Sequence, residues 1–185
     1  MLTPDQLIKN LSTNHTKGFI KQLSVTLRDQ GFDIDRLIDL TFHPDKQVGF
    51  RAAWLLDTTL LSCPEYYVHN IPYLVKRMGD VTNQSCKRHY TRIMMHLAAP
   101  AAPQLVKEKL AVINLDIVIE KCFDWMIDPE VRVAVKVFAA DTLYYLCHRH
   151  DWIKEELTNQ VKFMMQSGGP AIQSRGRKLL ALLLK

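Results

Sequence analysis

A chain of 185 residues, 48% apolar and 23% charged, can bury a core of its own, which excludes an unfolded tail or a collagen-like fibre. Its net charge of +5 permits acidic partners without demanding them. The longest apolar run, residues 179–184, has six residues against the roughly twenty that cross a bilayer. No apolar segment of signal-peptide length follows Met1. The expectation is a cytoplasmic protein with no membrane contact. Cys63, Cys86, Cys122 and Cys147 form no C-x-x-C pair and lie in or beside apolar stretches, so they read as reduced, largely structural residues.

Helical periodicity recurs along the chain, and strand alternation does not. Residues 4–11, and a second helix from His15 to Gln30, read as a pair covering the N-terminal end, within residues 1–32. His43-Pro44-Asp45 opens a helix in which Val48, Ala52, Leu55 and Thr59 lie on one stripe. Gly79-Asp80 marks a turn, and residues 98–103, rich in Ala and Pro, read as a longer connection. Ile127-Asp128-Pro129 opens a helix carrying Val133, Val137, Ala140, Tyr144 and Cys147 on one face, and Gly168-Gly169-Pro170 marks the last turn. The first helix of each pair is expected near Ile34, Ile71, Leu115 and Trp152.

The second helices share a pattern. An apolar or small residue stands three positions before a basic one in Val48 and Arg51, Ser85 and Arg88, Val133 and Lys136, and Ile172 and Arg175. The basic positions are 37, 48 and 39 residues apart. This resembles the HEAT pattern, whose unit is roughly 40–47 residues. The resemblance implies an all-α, HEAT/armadillo-like α-α superhelix of four to five helix pairs. Its units would be residues 33–64, 65–112, 113–150 and 151–185, in one solenoid domain spanning 1–185. The alternative is an irregular bundle with coincidental spacing.

Cys122-Phe123-Asp124-Trp125-Met126, the run at residues 139–146, Asp151-Trp152-Ile153 and the run at 50–57 resemble a family of short bacterial helical proteins of no established activity. Some of its members carry the name adenylosuccinate lyase. True lyases of that kind are similar in a Ser-rich loop of the S-S-x-M-P-x-K-x-N type, and neither Ser12-Thr13-Asn14 nor Ser167-Gly168-Gly169-Pro170 fits it. The resemblance therefore implies a fold, with lyase activity as a remote alternative only.

No residue cluster demands a catalytic chemistry: G-x-S-x-G, H-E-x-x-H and the P-loop are all missing from the sequence, and no cofactor or metal is expected. His148-Arg149-His150 reads as a basic group at a helix C-terminus rather than a zinc site, and His89 and His96 as face residues. Trp54, Trp125 and Trp152 read as core. Tyr66-Tyr67 and Tyr144-Tyr145 should each place one ring inward and one outward. Residues 65–112 hold seven Lys/Arg against three Asp/Glu, whereas 113–150 hold four against six.

The candidate partner-binding residues are Arg51, Lys87, Arg88, Arg92, Lys136, Arg175 and Lys178, on second helices that line a concave face in such a stack. Pairing with Asp57 and Asp141 inside the stack is the structural alternative for these cations. The functional expectation is a non-catalytic scaffold that takes a peptide, a helix or an acidic protein surface. A nucleic-acid binder is the alternative, because Trp54 with Asp57 supplies the ingredients of the aromatic-and-acid pocket of HEAT-like DNA-alkylation glycosylases. The leucines of residues 179–184 cannot all face inward, so their outer strip is expected to be covered by the curvature of the chain or by a homodimer through the C-terminal helix.

Overall fold

The computed structural model describes residues 2–13 and 16–184; the helix start expected at His15 lies outside them. The elements are α1 (Pro4–Thr13), α2 (Lys17–Asp29), α3 (Ile34–Leu40), α4 (Lys46–Ser62), α5 (Ile71–Met78), α6 (Gln84–Ala98), α7 (Gln104–Val112), α8 (Asp116–Ile127), α9 (Val133–Leu146), α10 (Asp151–Ser167) and α11 (Pro170–Leu183). Short 3-10 turns stand at Pro64–Tyr67 and Cys147–Arg149, and among the described residues there is no strand. None of these helices is long and apolar enough to cross a membrane.

Local chemistry sets the helix starts. The side chains of Asp33, Asp45 and Asn83 accept from the backbone N–H groups of Asp35, Gln47 and Ser85 at 3.0, 2.8 and 2.9 Å, satisfying donors that the first turn leaves unpaired. The stop after α2 is equally specific. Gly31, at φ +60°, lets its N–H reach Arg28 O and that of Phe32 reach Leu27 O, at 3.0 and 2.9 Å, a Schellman closure that a Cβ would strain.

Successive second helices pack side by side, α4 on α2, α6 on α4, α9 on α6 and α11 on α9, while α3, α5 and α8 form the other layer. One apolar core runs through the stack from Leu7 to Leu183. This is the all-α solenoid of paired helices that the spacing predicts. Tyr90 is wholly buried, and its hydroxyl meets the Thr41 hydroxyl at 2.8 Å, 49 residues away. All four cysteines are free, and burial pushes the Cys86 thiol up to about 12, which makes it a poor nucleophile.

Several expectations change. Residues 99–103 form the expected connection, but the stretch after them holds an unforeseen helix, α7, whose Val106 and Leu110 are buried one turn apart, and this inserted helix lengthens the Arg88 to Lys136 spacing. Of the tryptophans, Trp125 is core, Trp54 is half-buried, and Trp152 is 51% exposed, since it stands in the first turn of α10 at the stack's edge. Tyr67 is inward and Tyr66 outward as expected, whereas Tyr144 and Tyr145 are both half-buried. At the C-terminal end Leu179 and Leu183 are buried, while Leu182 and Leu184 are exposed.

Gly49 of α4 lies close against the residues that end α3. A Cβ there would stand 2.9 Å from the Thr41 carbonyl oxygen, which is backbone and cannot swing away. Gly49→Ala should therefore lose about 1–3 kcal/mol by urea denaturation despite alanine's better helix propensity. Gly18→Ala, where nothing lies within 4 Å of the new methyl, should be neutral or stabilising by up to about 1 kcal/mol.

Candidate functional site

The candidate cations divide into two groups. Arg51, on α4, donates through Nη1 to the carbonyl oxygens of Leu11 and Ser12 at 2.7 and 3.0 Å, closing orphan acceptors at the end of α1. Lys87 is buried, with Nζ 3.9 Å from an Asp128 oxygen and 5.7 Å from the centre of the Trp125 ring. Arg92 donates to Asp57 Oδ2 at 2.5 Å, and Arg175 to Asp141 Oδ1 at 2.7 Å. These four side chains engage the stack itself. Arg88 and Lys178 are exposed and Lys136 half-buried, and none of the three has an ion pair among the described residues.

The internal bonds share a register. Arg92 to Asp57 spans 35 residues and Arg175 to Asp141 spans 34. In the other layer Asn70 donates to Asp35 across 35 residues and Tyr73 to Asp39 across 34. Each side chain thus reaches the equivalent helix one unit back. The pairing of Asp57 and Asp141 with cations was legible in the sequence. The part of His89 was not: it is buried, with Nδ1 2.9 Å from the same Asp57 oxygen that Arg92 holds and its ring 5.7 Å from that of Phe50. The usable signal was its place three residues before Arg92, on the same helix face.

Around Asp57 the second helices leave a cavity of about 370 Å³, lined by Lys17, Lys21 and Arg28 of α2, Trp54 and Asp57 of α4, and Arg92 of α6. Asp57 Oδ1 is buried without a hydrogen-bond partner among the described residues. A second cavity, of about 500 Å³, lies at the inter-helix turns among Thr41, His43, Lys46, Asn83 and Cys86; it holds none of the candidate cations. At the third candidate, the His-Arg-His run, Arg149 donates to the carbonyl oxygens of Leu110 and Ile113 at the end of α7, and His150 lies 3.2 Å from Asp116 Oδ1. Among the described residues no group of three or more His, Cys, Asp or Glu side chains could hold a metal.

Paired helices in two layers, joined by polar bonds about one unit apart, define a helical-repeat solenoid. The chain matches the family model described as HEAT repeat domain over residues 7–183, and it belongs to that family. No curated protein matches it.

The Arg175–Asp141 bond is testable through pH. Burial pushes the Asp141 carboxyl above its usual value, against the pull of the Arg175 hydrogen bond and charge. A raised folded pKa means that ionising this group weakens folding as pH rises through the carboxylate range. Arg175→Met removes the opposing pull and extends the penalty. The variant should lose about 2 kcal/mol at neutral pH, moderated by the exposure of the Arg175 end. Thermal melts at neutral pH and at about pH 4 should show the gap between variant and wild type narrowing with acid.

Proposed function

We propose that this chain is a non-catalytic interaction module whose second-helix face takes an acidic protein surface or peptide. The supporting observation is the division of the cations. Arg51, Lys87, Arg92 and Arg175 are engaged within the fold, whereas Arg88, Lys136 and Lys178 have no carboxylate partner among the described residues. Charges left free on a solenoid's inner helices are available to an incoming carboxylate, and such contacts set encounter rate and orientation more than raw affinity.

Nucleic-acid binding is the second reading. It is favoured by Lys17 and Lys21, both exposed, which extend the basic surface across the cavity from Arg92 onto α2. A homodimer through the C-terminal helix is a further proposal about partners, supported by the exposure of Leu182 and Leu184; sedimentation equilibrium would report it.

Triple charge reversal, Arg88→Glu with Lys136→Glu and Lys178→Glu, should leave the melting temperature near that of wild type. It should abolish salt-sensitive capture of acidic proteins, read by quantitative pull-down at low and high ionic strength. Equal capture by variant and wild type would overturn the first reading. Titration of labelled duplex and single-stranded DNA at two salt concentrations tests the second, since phosphate contacts must weaken with salt.

A further inference from the structure

We propose that the outer edge formed by α8 and the start of α10 is a docking surface for a cationic segment of a partner protein, one that carries arginine or lysine among apolar residues. It uses none of the second-helix cations and is opposite to them in charge, so either reading can fail without the other.

Three rings meet where α10 begins. The Trp152 ring lies against that of Phe123 on α8, with centroids 5.6 Å apart and planes 31° from parallel, and against His150 at 6.2 Å and 24°. His150 in turn stands 3.2 Å from Oδ1 of Asp116, the first residue of α8. These contacts hold the indole in place without covering it, and Trp152 remains 51% exposed. Helix α10 packs on α9 and α11, so the layer of α3, α5 and α8 is not continued over this ring.

The apolar surface extends beyond the tryptophan. Ile127, one turn after Phe123 on the same side of α8, is 58% exposed, and Phe163, three turns after Trp152 on the same side of α10, is 66% exposed. A single exposed apolar side chain is ordinary. Several in register on two helices, around a tryptophan braced by neighbouring rings, make a patch of the kind that marks an interaction site, and tryptophan is a frequent anchor of such sites.

Charge selects the occupant. Glu120 stands one turn before Phe123, and Glu155 one turn after Trp152; both are exposed, and neither has an ion pair among the described residues. Asp124, beside Phe123, is exposed as well, although it holds Lys121 at 3.0 Å. Together α8 and α10 carry six Asp/Glu against three Lys/Arg, in a chain whose net charge is +5. Carboxylates and the face of an indole attract the same kind of group, a cation. The same carboxylates repel phosphate, so this edge suits neither nucleic acid nor an anionic lipid surface. Arginine fits best, because its planar guanidinium both stacks on an aromatic ring and pairs with a carboxylate.

The experiment titrates the full chain with three labelled helical peptides of equal length, following fluorescence anisotropy. One carries arginine and leucine at helical spacing; the second has glutamate in place of arginine, and the third serine in place of leucine. The first should bind at least about tenfold tighter than either of the others, one decade being the least difference that marks a joint contribution of charge and apolar contact. Glu120→Gln with Glu155→Gln alters only exposed side chains, so it should melt with the wild type, bind the first peptide at least about tenfold more weakly and lose most of the salt dependence. Trp152→Ala should weaken binding by at least about tenfold, whereas Arg88→Glu on the second-helix face should not weaken it. Equal binding of the arginine–leucine and arginine–serine peptides would mean attraction by charge alone and would overturn the proposal. So would binding that the glutamate substitutions leave untouched. Self-association of the chain by sedimentation that Trp152→Ala abolishes would assign this edge to a second copy instead, and would overturn it equally.

Discussion

No second helix in this molecule can bury its apolar face alone, and the rest of the structure depends on how each one lies against the one before it. The stack α2, α4, α6, α9 and α11 is held by contact between neighbours, so stability is approximately a sum of units and their interfaces. Burial draws the helices together, but by itself it allows them to slide. Polar side chains remove that freedom. Arg92 on Asp57 and Arg175 on Asp141, like Asn70 on Asp35 and Tyr73 on Asp39, each have a partner about one unit back. A shift by one helical turn would break them and leave the buried carboxylates of Asp57 and Asp141 without donors.

The same economy explains why only part of the basic surface is available for recognition. A cation at the joint between two second helices satisfies a carboxylate or a helix end, as Arg51 does for α1. Other cations on the same helices, such as Arg88, remain at the surface. Around Asp57 the two uses meet. Its Oδ2 holds the stack together through Arg92, and its Oδ1 faces no donor, so one residue serves the fold and marks the cavity wall.

What could be read from the sequence follows from where the information resides. Helix starts are encoded in adjacent residues, and Ile34 and Ile71 do open α3 and α5. The engagement of Asp57 and Asp141 was within reach because a repeat brings residues one unit apart together. Helix α7 escaped because its apolar signal rests on Val106 and Leu110, too short a stripe to separate from a loop. His89 was read as a face residue because a histidine beside basic residues resembles surface; its burial depends on Phe50 and Asp57 of another helix. The exposure of Trp152 has the same origin, since hydrophobicity says that a ring prefers cover and not whether the next element supplies it.

Helix α7 gives the molecule an uneven elasticity. It leans back on the Pro64–Tyr67 turn and on α6, while Arg149 from the following unit grips the carbonyls at its end. One short helix is thereby fastened on both sides of a joint, like a strut across a hinge. Solenoids bend by summing small rotations between units, and here the middle rotation is braced. Bending is left to the joints towards either end, so a partner that reshapes the curve would do so there, with the centre acting as a rigid segment.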